Sequence, residues 1–180
     1  MSGSQLLPSN VPNRRYIQAF YIAPLVIWML LIFFASTKAG GNDNSASLIV
    51  RLLGIIAPEE SHRMTGETLR IMNYVVRKMA HITEYAILTL LAVRAIQFGA
   101  VNLKPSAFLG AFGISVLYAM SDEIHQRFVP GRTSTSLDVL IDMCGVALVL
   151  VGILVLFGIK SMERFLWKSV SSNNDFIISS

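Results

Sequence analysis

The chain has 180 residues, of which 53% are hydrophobic and 14% charged, with a formal net charge of +4. Soluble domains average about 25% charged residues, and their cores rarely contain apolar runs near 18 residues, so these numbers exclude an ordinary soluble domain. In an apolar chain the excess of lysine and arginine points to anchoring at a membrane surface rather than to nucleic acid.

Residues 1–15 form a polar tail with Pro8 and Pro12, read as unstructured. The first span runs from about Tyr16 to Ala35 and contains Pro24. It is too long for the apolar core of a secretory signal and has no convincing cleavage site after it, so an uncleaved span is expected. The stretch "STKAGGNDNSAS" reads as a loop, and "SLIVRLLGII" (47–56) is too short to cross a bilayer. An interfacial or re-entrant segment is the expected role of 47–56.

Glu67 to Arg77 reads as a helical lead-in to a second span from Lys78 to Phe98. The third span covers about Ser106 to Ser121, just after Pro105, and the fourth covers Leu137 to Ile159. Residues 161–180 are a second polar tail, so 16–160 forms one transmembrane domain. The fold class expected is an all-α, polytopic membrane helical bundle of four spans. The single cysteine, Cys144, is unable to form an intrachain disulfide and reads as a small buried hydrophobe.

Three segments flanking the spans carry Arg14 and Arg15, Arg94 and Lys104, and Lys160, Arg164 and Lys168. The segment between spans two and three has no acid, whereas 36–77 and 122–136 are mixed in charge. Basic flanks favour the cytoplasm, which gives both termini a cytoplasmic location and faces the two mixed loops outward.

The ionisable residues gather toward that outer end. Lys78, His81, Glu84 and Tyr85 lie at i, i+3, i+6 and i+7, on one helix face. Asp122, Glu123, His125 and Gln126 close span three, and Asp138 and Asp142 open span four one turn apart. Gly145 continues the Asp138–Asp142 face and permits close helix packing. Arg132 stands in the turn "VPGR" between spans three and four. An acid at the bilayer centre costs about 2.5 to 3.5 kcal/mol on insertion scales, so these groups should pair, or line a polar cavity, inside the bundle. Expected partners are Arg132 for Asp138 or Asp142, and Lys78 or Arg77 for Glu123. Taken singly, each group has a plain structural explanation: a helix-end hydrogen bond, an exposed ion pair or an N-terminal acid.

The chemistry stays open. His81, Glu84, Asp122, Glu123, His125, Asp138 and Asp142 are all suitable donors for a divalent metal, although no HExxH pattern occurs and thiolate clusters are absent. Alternatively His81 or His125 could serve as a general base oriented by a carboxylate. Lys78 and Arg132 could hold a phosphate or carboxylate at the membrane surface. No GxSxG, P-loop or CxxC pattern is present.

Together, "RKMAHITEYAILTLLAVRA" and "LYAMSDEIHQRFVPGRTSTSLDVLIDMCGVALVL" resemble the VanZ-like family of bacterial integral membrane proteins. The matching positions are Lys78, His81, Glu84 and Tyr85; Asp122, Glu123, His125, Gln126, Phe128, Gly131 and Arg132; and Asp138 and Asp142. The likeness covers roughly residues 20 to 158, with Ser36 a weaker match and 38–77 poorly matched. It implies a multi-pass protein of the bacterial cell membrane, since the founding member is linked to resistance to the lipoglycopeptide teicoplanin. Three readings follow. One is a membrane-embedded hydrolase or transferase acting on a lipid-linked envelope molecule. Another is a non-catalytic protein that binds or shields such a molecule, and the third is a structural partner of another membrane protein. Membrane lipid and a lipid-linked or lipoglycopeptide ligand are the expected partners, with a divalent metal as the one cofactor considered.

Overall fold

The computed structural model describes residues 14–37, 42–59, 65–98, 100, 103–130 and 135–178. Among them every regular element is a helix: α1 (Arg14–Ser36), α2 (Asn42–Ile56), α3 (Gly66–Gln97), α4 (Pro105–Arg127) and α5 (Ser136–Ile178). Four of the helices are long and apolar enough to cross a membrane, over Tyr16–Ser36, Gly66–Gln97, Pro105–Arg127 and Ser136–Arg164. Hydrocarbon offers backbone N–H and C=O groups no partner, so spanning segments must satisfy them internally, as helices do. Helix α2 has 15 residues, about 22 Å at 1.5 Å per residue, against roughly 30 Å of hydrocarbon.

Local sequence sets the helix starts. Thr65 caps α3, its hydroxyl accepting the Thr68 N–H at 3.2 Å. Pro105 opens α4, where a missing N–H costs nothing. At the far end of α3, Phe98 adopts a left-handed φ of 45° that stops the helix, and its ring meets Tyr21 of α1 at 6.1 Å.

Helix α3 is the centre of the bundle and packs against all four others, whereas α2 touches α3 alone. The core between α3, α4 and α5 contains Tyr85, Leu88, Ala92, Ala111, Ala119 and Val146. Its small residues bring the backbones close, the usual basis of helix association where the surroundings are already apolar. Phe20, Leu30, Leu109, Leu117, Leu148 and Leu156 point outward, as lipid-facing side chains do. Among the described residues helix α1 attaches through three hydrogen bonds: the Trp28 indole N–H donates to the Glu84 carbonyl at 2.9 Å, the Tyr118 hydroxyl donates to the Met29 carbonyl, and the Arg94 guanidinium donates to the Phe20 carbonyl at 3.2 Å. At the opposite end to the acidic clusters, the Arg94 guanidinium lies 4.7 Å from the ring centroids of both Phe20 and Tyr21.

Four details depart from expectation. Helix α2 begins at Asn42, inside the stretch read as a loop, because Asn, Asp and Ser favour helix starts as readily as turns. Helix α4 continues to Arg127, past Ser121, with Asp122, Glu123 and Gln126 kept inside the bundle by burial rather than released to a loop. Helix α5 continues to Ile178, through much of the segment read as a polar tail. Cys144 is exposed on the outside of α5 rather than buried, with its Sγ 3.4 Å from the Leu140 carbonyl. The first 13 residues and Arg132 lie outside the described residues.

Candidate functional site

The two acids of α5 reach α3 because of Gly145. A Cβ at that position would run into the Ile82 carbonyl oxygen and sit 3.0 Å from the Ala86 nitrogen. Only a hydrogen fits, so α5 lies directly on the α3 backbone there. Asp138 and Asp142 occupy the same face of α5 within the two preceding turns, and the close approach aims both at α3. Asp138 forms an ion pair with the Lys78 ammonium, and the Asp142 carboxylate stands 3.2 Å from His81 Nδ1. Lys78 also lies over the Tyr74 ring, 5.1 Å from its centroid. Asp138 and Asp142 are 3% and 1% exposed, a depth at which a carboxylate needs a cationic or hydrogen-bonding neighbour.

Helix α4 supplies a second polar edge. Asp122 and Gln126 are one turn apart and buried, with Gln126 Nε2 donating to Asp122 Oδ2 at 2.9 Å. They share a cavity of about 170 Å³ with Ser36 of α1 and with His81 and Glu84 of α3. A larger cavity of about 390 Å³ lies between α3 and the start of α5, bounded by Lys78, His81 and Asp138 among others. Arg77 and His81 line both cavities. One continuous polar region thus runs from α1 across α3 to α5, at one end of the bundle.

Buried polar atoms without a hydrogen-bond partner among the described residues include Ser36 Oγ, His81 Nδ1 and Gln126 Oε1 on cavity-lining residues, and Tyr85 Oη, Asp142 Oδ1, His125 Nε2 and Gln97 Oε1 on residues that line neither cavity. His81 and Asp142 are near each other yet do not complete a hydrogen bond. Buried polar atoms are nearly always bonded, so Ser36, His81 and Gln126 leave the cavities with unmatched hydrogen-bonding capacity. Farther along α3 the Thr89 hydroxyl bonds to Ser115 Oγ at 2.9 Å and to the Tyr85 carbonyl at 2.7 Å.

The expected site residues divide accordingly. Lys78, His81, Glu84, Asp122, Gln126 and Asp138 line the cavities, and Asp142 supports His81 from behind. Tyr85 and Glu123 are buried but line neither cavity. His125 leaves the group, its ring packed on Phe33 at 4.7 Å. Lys78 pairs with Asp138 rather than with Glu123. Sequence reasoning misses Arg70 and Tyr74 as lining residues and treats Arg77 only as a partner for an acid. Their spacing is the available signal, since 70, 74, 77, 78 and 81 fall on one helical face.

Among the described residues no group of three His, Cys, Asp or Glu side chains is arranged to hold a metal ion. Asp138 is engaged by Lys78 and Asp122 by Gln126. What the geometry retains is a histidine 3.2 Å from a buried carboxylate, on a cavity wall shared with Lys78 and Arg77; such groups can serve proton transfer or anion binding.

A family model described as VanZ/LLP1 matches residues 20–158 of the chain, a stretch that includes all the cavity-lining residues. No curated protein and no solved structure matches it.

Proposed function

Because the chain belongs to the VanZ/LLP1 family and is a multi-pass membrane protein, we propose that it binds or modifies a lipid-like molecule of the bacterial cell envelope. The work is done at the polar region between α1, α3, α4 and α5. In this reading His81 exchanges a proton or hydrogen bond with the bound molecule, Asp142 orients it, and Lys78 with Asp138 fixes the rim. Glu84, Asp122 and Gln126 complete the inner wall. The site faces the cell exterior, where cell-wall precursors are exposed, and its activity raises tolerance to glycopeptides of the teicoplanin type.

The observation that supports this most is the pair of adjoining cavities that meet at Arg77 and His81, with unbonded buried polar atoms around them. A network built only for packing would be expected to satisfy its own donors and acceptors. The outward orientation is supported by the segment between α3 and α4, whose flanking charged residues, Arg94 and Lys104, are both basic.

The deciding experiment compares the envelope lipids and cell-wall precursors of bacteria with and without the protein. A new or depleted species that reverts with His81→Gln supports modification. An unchanged profile, together with a lipid-linked precursor retained by the purified protein, supports binding alone. An unchanged profile with nothing retained contradicts the proposal.

A further inference from the structure

The larger cavity carries more positive charge than its own acid can balance. Arg70, Arg77 and Lys78 line it, and among the described residues Asp138 is its one carboxylate. Lys78 already takes that carboxylate. Among the described residues neither arginine has an acid partner. Both arginines stand on the same face of α3, seven residues apart, so their side chains enter one space. An arginine presents a planar fork of donors that matches phosphate oxygens two at a time.

Depth narrows the class of ligand. Helix α3 has 32 residues, about 48 Å of length against roughly 30 Å of hydrocarbon. Its first turns therefore stand in the headgroup layer, where lipid phosphates lie. The mouth of the cavity includes Tyr74 and Leu137, which are 61% and 66% exposed, and Ile71 and Val75 continue an exposed apolar strip beside it. A phosphate held by the arginines would leave its chains on that strip, in lipid. We propose that this cavity seats the phosphate group of a membrane lipid, gripped by Arg70 and Arg77 and delivered beside His81. The proposal rests on the reading of this end of the bundle as a ligand site and names the class of molecule that enters it.

The test uses the full-length protein purified in a neutral detergent. Binding is measured for short-chain phosphatidic acid, for diacylglycerol with the same chains, and for inorganic phosphate. Wild type is compared with Arg70→Gln/Arg77→Gln and with Lys160→Gln/Arg164→Gln, which removes the same charge from the opposite end. The wild type should prefer phosphatidic acid to diacylglycerol by about tenfold or more, and the Arg70/Arg77 variant should lose that preference. The Lys160/Arg164 variant should keep it. Equal loss in both variants would mean general attraction to anionic lipid and would overturn the proposal. So would an absence of preference in the wild type, or inorganic phosphate binding as tightly as phosphatidic acid. Melting temperatures of the variants should match wild type, since Arg70 is exposed and neither arginine has an acid partner among the described residues. The outcomes separate this proposal from the functional reading beneath it. A wild type without phosphate selectivity, but with an envelope effect that still needs His81, would sink the phosphate assignment alone. An intact selectivity with an envelope effect indifferent to His81 would sink the functional reading alone.

Discussion

Lys78 of α3 and Asp138 of α5 form an ion pair at the edge of the larger cavity, with side chains 21% and 5% exposed. The pair closes the α3–α5 interface one turn before Asp142 meets His81. Removing the lysine alone strands a buried carboxylate, while removing both charges strands nothing. Lys78→Met should therefore lower stability by up to about 3 kcal/mol, less than a fully buried pair because the lysine is partly solvated. Lys78→Met/Asp138→Leu should recover most of the loss. Thermal unfolding in detergent decides it, and a double variant no better than the single would show that the pair is not coupled.

Gly145 carries the second prediction. Gly145→Ala should separate α3 from α5, costing about 1 to 3 kcal/mol as overpacking does, and should weaken the His81–Asp142 approach. Gly152 lies on the same helix, and a methyl group there would meet nothing within 4 Å, so Gly152→Ala should be neutral or slightly stabilising. Equal melting temperatures for the two variants would contradict the close contact.

Thr89 and Ser115 bond to each other in a fully buried position between α3 and α4. Hydrogen bonds of this kind inside membranes contribute about 0.6 kcal/mol on average. A double-mutant cycle of Thr89→Val and Ser115→Ala should give a coupling of that order, and additive effects would show that the bond contributes nothing.

Orientation is testable with single cysteines in a Cys144→Ala background. Cysteine at Glu67, at the site end, should react with a membrane-impermeant maleimide in intact cells. Cysteine at Ser161, on the other side of the same bundle, should react only after permeabilisation. The reverse pattern would turn the cavities toward the cytoplasm.

Much of this is legible in the sequence because a bilayer allows few solutions. Apolar runs of spanning length must be helices, and acids within them must turn inward. Hence the four spans, the shared face of Lys78 and His81, and the shared face of Asp138 and Asp142 can be read directly. Pairing cannot. Helical spacing states which residues share a face, not which neighbour that face meets, so the sequence leaves Lys78 near Glu123 whereas it lies against Asp138. Proximity along the chain groups His125 with the acids, yet its position on α4 turns it toward Phe33 of α1. Arg70 and Tyr74 escape notice because they precede the apolar run, although α3 continues through them as a single helix.

The central claim is that the His81–Asp142 region acts on another molecule rather than merely packing helices. The most direct measurement is tolerance to a teicoplanin-type glycopeptide in cells producing wild type, His81→Gln or Asp142→Asn, at equal membrane levels and with melting temperatures recorded for each purified protein. Both variants should insert and fold while the protein's contribution to tolerance falls to background. Folded variants with undiminished tolerance would contradict the claim.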